Sequence, residues 1–218
     1  MKHYYEFLLE LPVHLLADSY DYIKASDAAH NEEHIRAVVR ATDMLAERSG
    51  LPESIYKHAI AAALMHDLGC SVRGGRDKHE IYSAQIAYGL LGRCGQYIEP
   101  NIVIPAIEKH RASYKGERTG RVEKIVAAAD RCDVLNLSLL FYRSYIYAMD
   151  TFDVHHDVAI AHSHDHISHK FSKEGRGCLL NNEVMMEFYP EECKAITEKM
   201  ETITVDEVRD LIEEFARC

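Results

Sequence analysis

The sequence predicts an all-α fold, and three observations carry that prediction. Apolar residues recur at intervals of three and four over most of the chain, residues that start and stop helices bracket those stretches, and no segment sustains a β alternation. Ser26 and Asp27 are candidate caps for a helix through His34, Ala37, Val38, Ala41, Leu45 and Ala46, which Gly50 ends. Pro52 and Glu53 restart a helix that runs to His66 and Asp67, with Gly69 marking its end. A polar, glycine-bearing loop spans 71–77, followed by helices over about 78–93 and 98–110, the latter kinked or started late by Pro105. After a loop over 111–120, residues 121–148 read as one long helix. A weaker helix covers the histidines of 155–169, and two more follow Pro190 and Thr204, the second opening on a Thr204/Glu207 capping box.

Composition bounds the function. At 218 residues and 47% apolar content, the chain can bury a core for one sizeable domain, or for one domain with an appended piece. A formal charge of −10 disfavours nucleic-acid binding through phosphate neutralisation. No apolar run approaches the ~18 residues of a membrane span, and the N-terminus is too acidic and too interrupted for a secretion signal. The expectation is a soluble, cytoplasmic protein with no membrane partner. The six cysteines (Cys70, Cys94, Cys132, Cys178, Cys193, Cys218) are scattered and read as reduced thiols.

Histidine is the unusual count, 14 in the chain. His66 and Asp67 stand side by side at the end of the apolar run that begins at Ala59. A carboxylate beside an imidazole is costly to bury without compensation, and a divalent metal compensates both groups. His34, His79, His110 and Asp130 fall at comparable places near helix ends, so a bundle can gather them at one centre. The donors are nitrogen and oxygen only, a set that suits Mn, Fe, Zn, Ni or Mg.

The order His34, His66-Asp67, Asp130 resembles the HD superfamily of metal-dependent phosphohydrolases. HNEEHIRAVV at 30–39 is similar to that family's opening helix, AAALMHDLG at 61–69 to its central signature, and IVAAAD at 125–130 to its closing aspartate. KHEIYSA at 78–84 and PAIEKH at 105–110 resemble the further histidine motifs of its dinuclear members, although His110 is followed by Arg111 and the Gly-Tyr-Pro signature of one subgroup is missing. The resemblance covers roughly 26–135. It implies metal ligation by His34, His66, Asp67 and Asp130. It also gives His79 and His110 either a second ion to hold or a role in orienting phosphate.

It implies, further, hydrolysis of a phosphoester or phosphoanhydride of a nucleotide or other small phosphorylated metabolite, with Asp67 and Asp130 catalytic and one or two divalent ions as cofactor. Cations in the intervening loops, Arg73, Lys78, Arg111 and Lys115 with Arg76 and Lys109, are candidate phosphate clamps. Residues 1–25 are expected to form an N-terminal helical extension, 26–150 the metal-binding domain, and 151–218 a C-terminal helical extension packed on it. A homo-oligomer is permitted. Two alternatives stand beside hydrolysis: a di-iron oxygenase-like protein, and a non-catalytic module that senses a nucleotide or metal. The tract of His155, His156, His162, His164, His166 and His169 reads as a polar helix face, with a separate metal site or a phosphate contact through Lys170 and Arg176 as alternatives. Phe141, Tyr142, Tyr145 and Tyr147 read as core.

Overall fold

The structure is a computed structural model and describes residues 11–74, 76–94, 97–171 and 183–217. Eleven α-helices and four short 3₁₀ turns occur among these residues, and no strand. The fold is all-α, as the periodicity predicts. No helix among them is long and apolar enough to cross a membrane. The chain divides into two compact units, with the boundary between Asp130 and Arg131.

The first unit contains α1 (Val13–Lys24), a 3₁₀ turn (Ala28–His30), α2 (Glu32–Arg48), α3 (Glu53–Met65), 3₁₀ turns at Leu68–Ser71 and Arg76–Lys78, α4 (His79–Leu91), α5 (Pro100–Glu108) and α6 (Arg121–Ala129). Helix α3 is the centre: every residue from His58 to Met65 is buried, and α2, α5 and α6 all pack against it. Its alanines allow that close approach on all sides. Helix α2 buries Ile35, Val38, Val39, Thr42, Leu45 and Ala46, one apolar stripe with His34 at its N-terminal end.

Caps explain where these helices begin and stop. Asn31, rather than Ser26 or Asp27, caps α2, its side chain accepting from the amides of Glu33 and His34. Asp27 caps the 3₁₀ turn in front of it. Gly50 ends α2 with a left-handed φ of 60°, the conformation glycine adopts at least cost. Gly69 does not stop α3, which ends at Met65. A Cβ at Gly69 would lie 2.2 Å from the His79 carbonyl oxygen, so glycine there permits the turn after α3 to touch the start of α4.

Residues 121–148 are not one helix. Helix α6 ends at Ala129 with Asp130 as its C-cap, a 3₁₀ turn follows at Cys132–Leu135, and a new helix starts at Leu137. Asn136 makes the break local: its side chain accepts from the Leu139 amide and caps the new helix. Periodicity persists through such a break because both flanking segments are apolar.

The second unit holds α7 (Leu137–Phe152), α8 (His156–Phe171), α9 (Glu183–Phe188), α10 (Pro190–Met200) and α11 (Val205–Ala216). Phe141, Ile160, Ile167, Met200, Ile203, Val208 and Ile212 form its core, with Tyr142 and Tyr145 packed against them, so three of the four aromatics read as core belong to it, while Tyr147 is half-buried against the exposed Phe152. Asp153, at a φ of 49°, turns the chain sharply between α7 and α8. The expected Thr204/Glu207 capping box starts α11. Helix α8 is amphipathic, burying Ala159, Ile160, Ser163 and Ile167, and the histidines flank that stripe. The His162 and His166 rings stack at 5.7 Å, and the His164 ring meets the Ile203 carbonyl at 3.1 Å. The tract supplies no group of three metal-competent donors among the described residues. Arg176, Cys178 and Cys218 lie outside the described residues.

Candidate metal centre

Six side chains named from the sequence converge in the first unit, each from a helix end. His34 lies in the first turn of α2, His66 is the C-cap of α3 with Asp67 next to it, Asp130 is the C-cap of α6, His79 opens α4, and His110 follows α5. Helix ends suit this task because the regular backbone fixes the position while the terminal residue is free to turn inward. The C-termini of α3 and α6 also direct their negative dipole ends at the cluster, which favours a cation there.

His34, His66, Asp67 and Asp130 form the first group, their ligand atoms all within 4.8 Å of one another. His34 Nε2 lies 3.3 Å from His66 Nε2, 3.2 Å from Asp67 Oδ2 and 3.4 Å from Asp130 Oδ1. His66 Nε2 lies 3.1 Å from Asp67 Oδ2 and 3.4 Å from Asp130 Oδ1. Metal bonds of about 2.0–2.1 Å place neighbouring donors about 3.0–3.4 Å apart, so this spacing fits a shared ion.

Asp67, His79 and His110 form a second group around the other carboxylate oxygen. Asp67 Oδ1 lies 3.3 Å from His79 Nε2 and 3.5 Å from His110 Nε2, and those two nitrogens are 3.1 Å apart. Asp67 is 3% exposed and its Oδ1 has no hydrogen-bond partner, the situation of a carboxylate oxygen built to bind a cation. The chemistry of both groups therefore fits a divalent metal.

Carbonyl contacts set the imidazole tautomers. His66 Nδ1 donates to the Ala63 carbonyl at 2.8 Å, and His110 Nδ1 to the Ile107 carbonyl at 2.6 Å. In the neutral rings this leaves both Nε2 lone pairs bare and directed at the cluster. A bare Nε2 against two carboxylate oxygens is repulsive unless a cation lies between them. Without metal that cation is a proton. Burial opposes the charged His66, but Asp67 and Asp130 outweigh it and raise its pKa to about 10. Burial would raise the Asp67 carboxyl, yet the charge of His66 and then of His30 holds it well below the usual range. Asp130 is likewise lowered, by His34 and His66 against the cost of burial.

The cations named from the sequence separate into two kinds. Arg111 is committed: its Nη1 donates to the Asp77 carbonyl at 2.7 Å and to Glu80 Oε2 at 3.1 Å, tying the loop after α5 to the start of α4. Lys109 is paired with Glu123 at 2.9 Å. These two brace the scaffold. Arg73, Lys78 and Lys115 are exposed, and none takes part in an ion pair among the described residues. The side chain of Arg76 lies outside the described ones.

Two features carried no sequence signal of their own. Arg118 donates at 2.7 Å to the carbonyls of both Lys109 and Arg111, which bracket His110. It thereby fixes the loop that presents that histidine. His30 stands against the cluster, its ring centroid 6.0 Å from that of His34 and 5.9 Å from that of His79, with Nδ1 held by Asp27 Oδ1 at 2.7 Å. The spacing of Asp27, His30 and His34 along one segment was visible, but nothing in it separated a cap from a site residue.

Residues 31–135 match the family described as HD domain. No curated protein and no solved structure matches the chain.

Proposed function

The chain belongs to the HD-domain family through residues 31–135, and on that footing we propose that it is a metal-dependent phosphohydrolase acting on a nucleotide or other small phosphorylated metabolite. The observation that carries this reading is the divided carboxylate of Asp67, whose Oδ2 lies among His34 and His66 while its Oδ1 faces His79 and His110. One carboxylate serving two donor groups is the arrangement of a two-ion centre, and that is the form we propose.

His34, His66, Asp67 and Asp130 would hold the first ion, and Asp67, His79 and His110 the second. When bound, the ions supply Lewis acidity toward a phosphoryl oxygen and bring the pKa of water toward neutrality. The chain's own residues do the rest. The carbonyls of Ala63 and Ile107 keep the His66 and His110 nitrogens bare, and Asp67 spaces the two halves. The Asp130 side chain is 22% exposed against 3% for Asp67, so Asp130 is the carboxylate that accepts a hydrogen bond from the attacking water. Arg73, Lys78 and Lys115 meet the spread charge of the phosphate, while Arg111 acts by holding the loop.

The test is elemental analysis of the purified protein coupled to a screen of nucleoside mono-, di- and triphosphates and cyclic nucleotides. Phosphate release that tracks metal content, and that His66→Ala abolishes, is the expected result. A protein inert and metal-free after Mn or Fe is supplied would overturn the proposal. The four imidazoles of the cluster favour one second reading, a di-iron oxygenase-like centre. Oxygen uptake by an iron-loaded protein that hydrolyses nothing would select it. Stoichiometric metal with neither activity would select a sensing module.

A further inference from the structure

We propose a third metal site, separate from the six-residue cluster, formed by Asp27, His30 and Cys70 and suited to a borderline ion such as Zn²⁺. One ligand atom from each residue lies within 4.8 Å of the others, and all three side chains are half-buried. They arrive from two segments. Asp27 caps and His30 closes the 3₁₀ turn before α2, and Cys70 lies in the 3₁₀ turn after α3, where its amide donates to the Asp67 carbonyl at 2.9 Å.

Asp27 is fixed before any ion binds. Its Oδ1 accepts from the amides of Ala29 and His30 at 3.0 and 3.1 Å and from His30 Nδ1 at 2.7 Å. Preorganised donors lose little freedom on binding. The donor set also differs in kind from that of the neighbouring cluster. Its sulfur disfavours Mg²⁺ and Mn²⁺ and favours zinc-like ions, whereas the cluster offers nitrogen and oxygen alone. When an ion binds, the Cys70 thiol gives its proton to solvent and the sulfur forms the metal bond. The His30 imidazole binds as the neutral ring, through the lone pair of its unprotonated nitrogen.

The position gives the site a consequence. Cys70 follows Asp67 by three residues and His30 precedes His34 by four, so two of the three segments that supply the first donor group also carry this site. The His30 ring adjoins those of His34 and His79. An ion here is a second, chemically distinct control on the centre, and it is independent of which reaction the centre performs.

Cobalt(II) reports the site directly, because only a thiolate ligand produces a sulfur-to-metal charge-transfer band in the near ultraviolet, and the six-residue cluster contains no sulfur. The full-length protein titrated with Co²⁺ is expected to develop that band. Cys70→Ser is expected to abolish it. Asp27→Asn, which keeps the acceptor for the turn, is expected to weaken binding roughly 10–100-fold. Absence of the band, or its persistence in Cys70→Ser, would overturn the proposal. A measurement on the unaltered protein guards against misfolded variants: Zn²⁺ should protect Cys70 from alkylation, read by peptide mass mapping. Equal labelling of Cys70 with and without Zn²⁺ would also overturn it.

Discussion

On the proposed two-ion reading, replacing Gly69 by alanine should disrupt the second donor group and leave the first. The new Cβ would lie 2.2 Å from the His79 carbonyl oxygen, 2.7 Å from the Ser83 amide nitrogen and 2.9 Å from the Tyr82 Cβ, all in the first turns of α4. Non-bonded atoms rest about 3.5 Å apart, so the helix start must withdraw by about 1 Å. That movement pulls His79 away from His110 and Asp67, now 3.1 and 3.3 Å from it, and strains the bond from the Gly69 amide to Ser83 Oγ at 2.8 Å. None of His34, His66 and Asp130 lies on α4, so the first donor group keeps its partners.

Overpacking of this kind costs about 1–3 kcal/mol, and the weakened buried hydrogen bond adds about 1 kcal/mol. At about 2–4 °C per kcal/mol for a chain of this size, the melting temperature should fall by roughly 5–15 °C. Elemental analysis should find about one ion fewer per chain than in the unaltered protein. A Gly69→Ala protein with unchanged melting and full metal content would refute the reasoning.

Four other outcomes follow from the same geometry. In metal-free protein, the raised His66 pKa stabilises the fold fully below about pH 6.5, and that stabilisation is lost as pH rises toward about 10. The melting temperature of chelated protein should therefore fall across that interval, and His66→Ala should flatten the fall. His58 is buried, and burial lowers its pKa. Its neutral form is the native one, so stability should drop as pH falls through about 6.5, and His58→Leu should lessen that loss in thermal melts at pH 5. Arg118→Ala should loosen His110 and lower retention of the ion proposed at His79 and His110, measured by dialysis and elemental analysis. Phe141→Ala should destabilise the second unit by about 3–5 kcal/mol in urea unfolding, with metal content unaffected.

Some of this architecture was legible in residue order because helix signals are local. Gly50, the Thr204/Glu207 box and the stripe of α2 each act within one or two turns of chain, so a sequence states them completely. The break after Asp130 was hidden because Asn136 caps a new helix inside an unbroken apolar pattern. The six donors were legible as residue types at helix ends. The commitment of Arg111 and Lys109 to Glu80 and Glu123 was not, because those partners stand 31 and 14 residues away.

Sequence by itself determined the helical class and the HD-domain motifs, and it named the six residues that the fold brings together, since all of these reside in residue type and spacing. Tertiary structure alone decided that Asp67 turns one oxygen to each histidine pair, that Ala63 and Ile107 set the tautomers, and that Cys70 comes beside His30. Those are relations among atoms brought together by packing around α3. Ligand fields depend on distances of a few ångströms between helix ends, and no local rule of sequence specifies them.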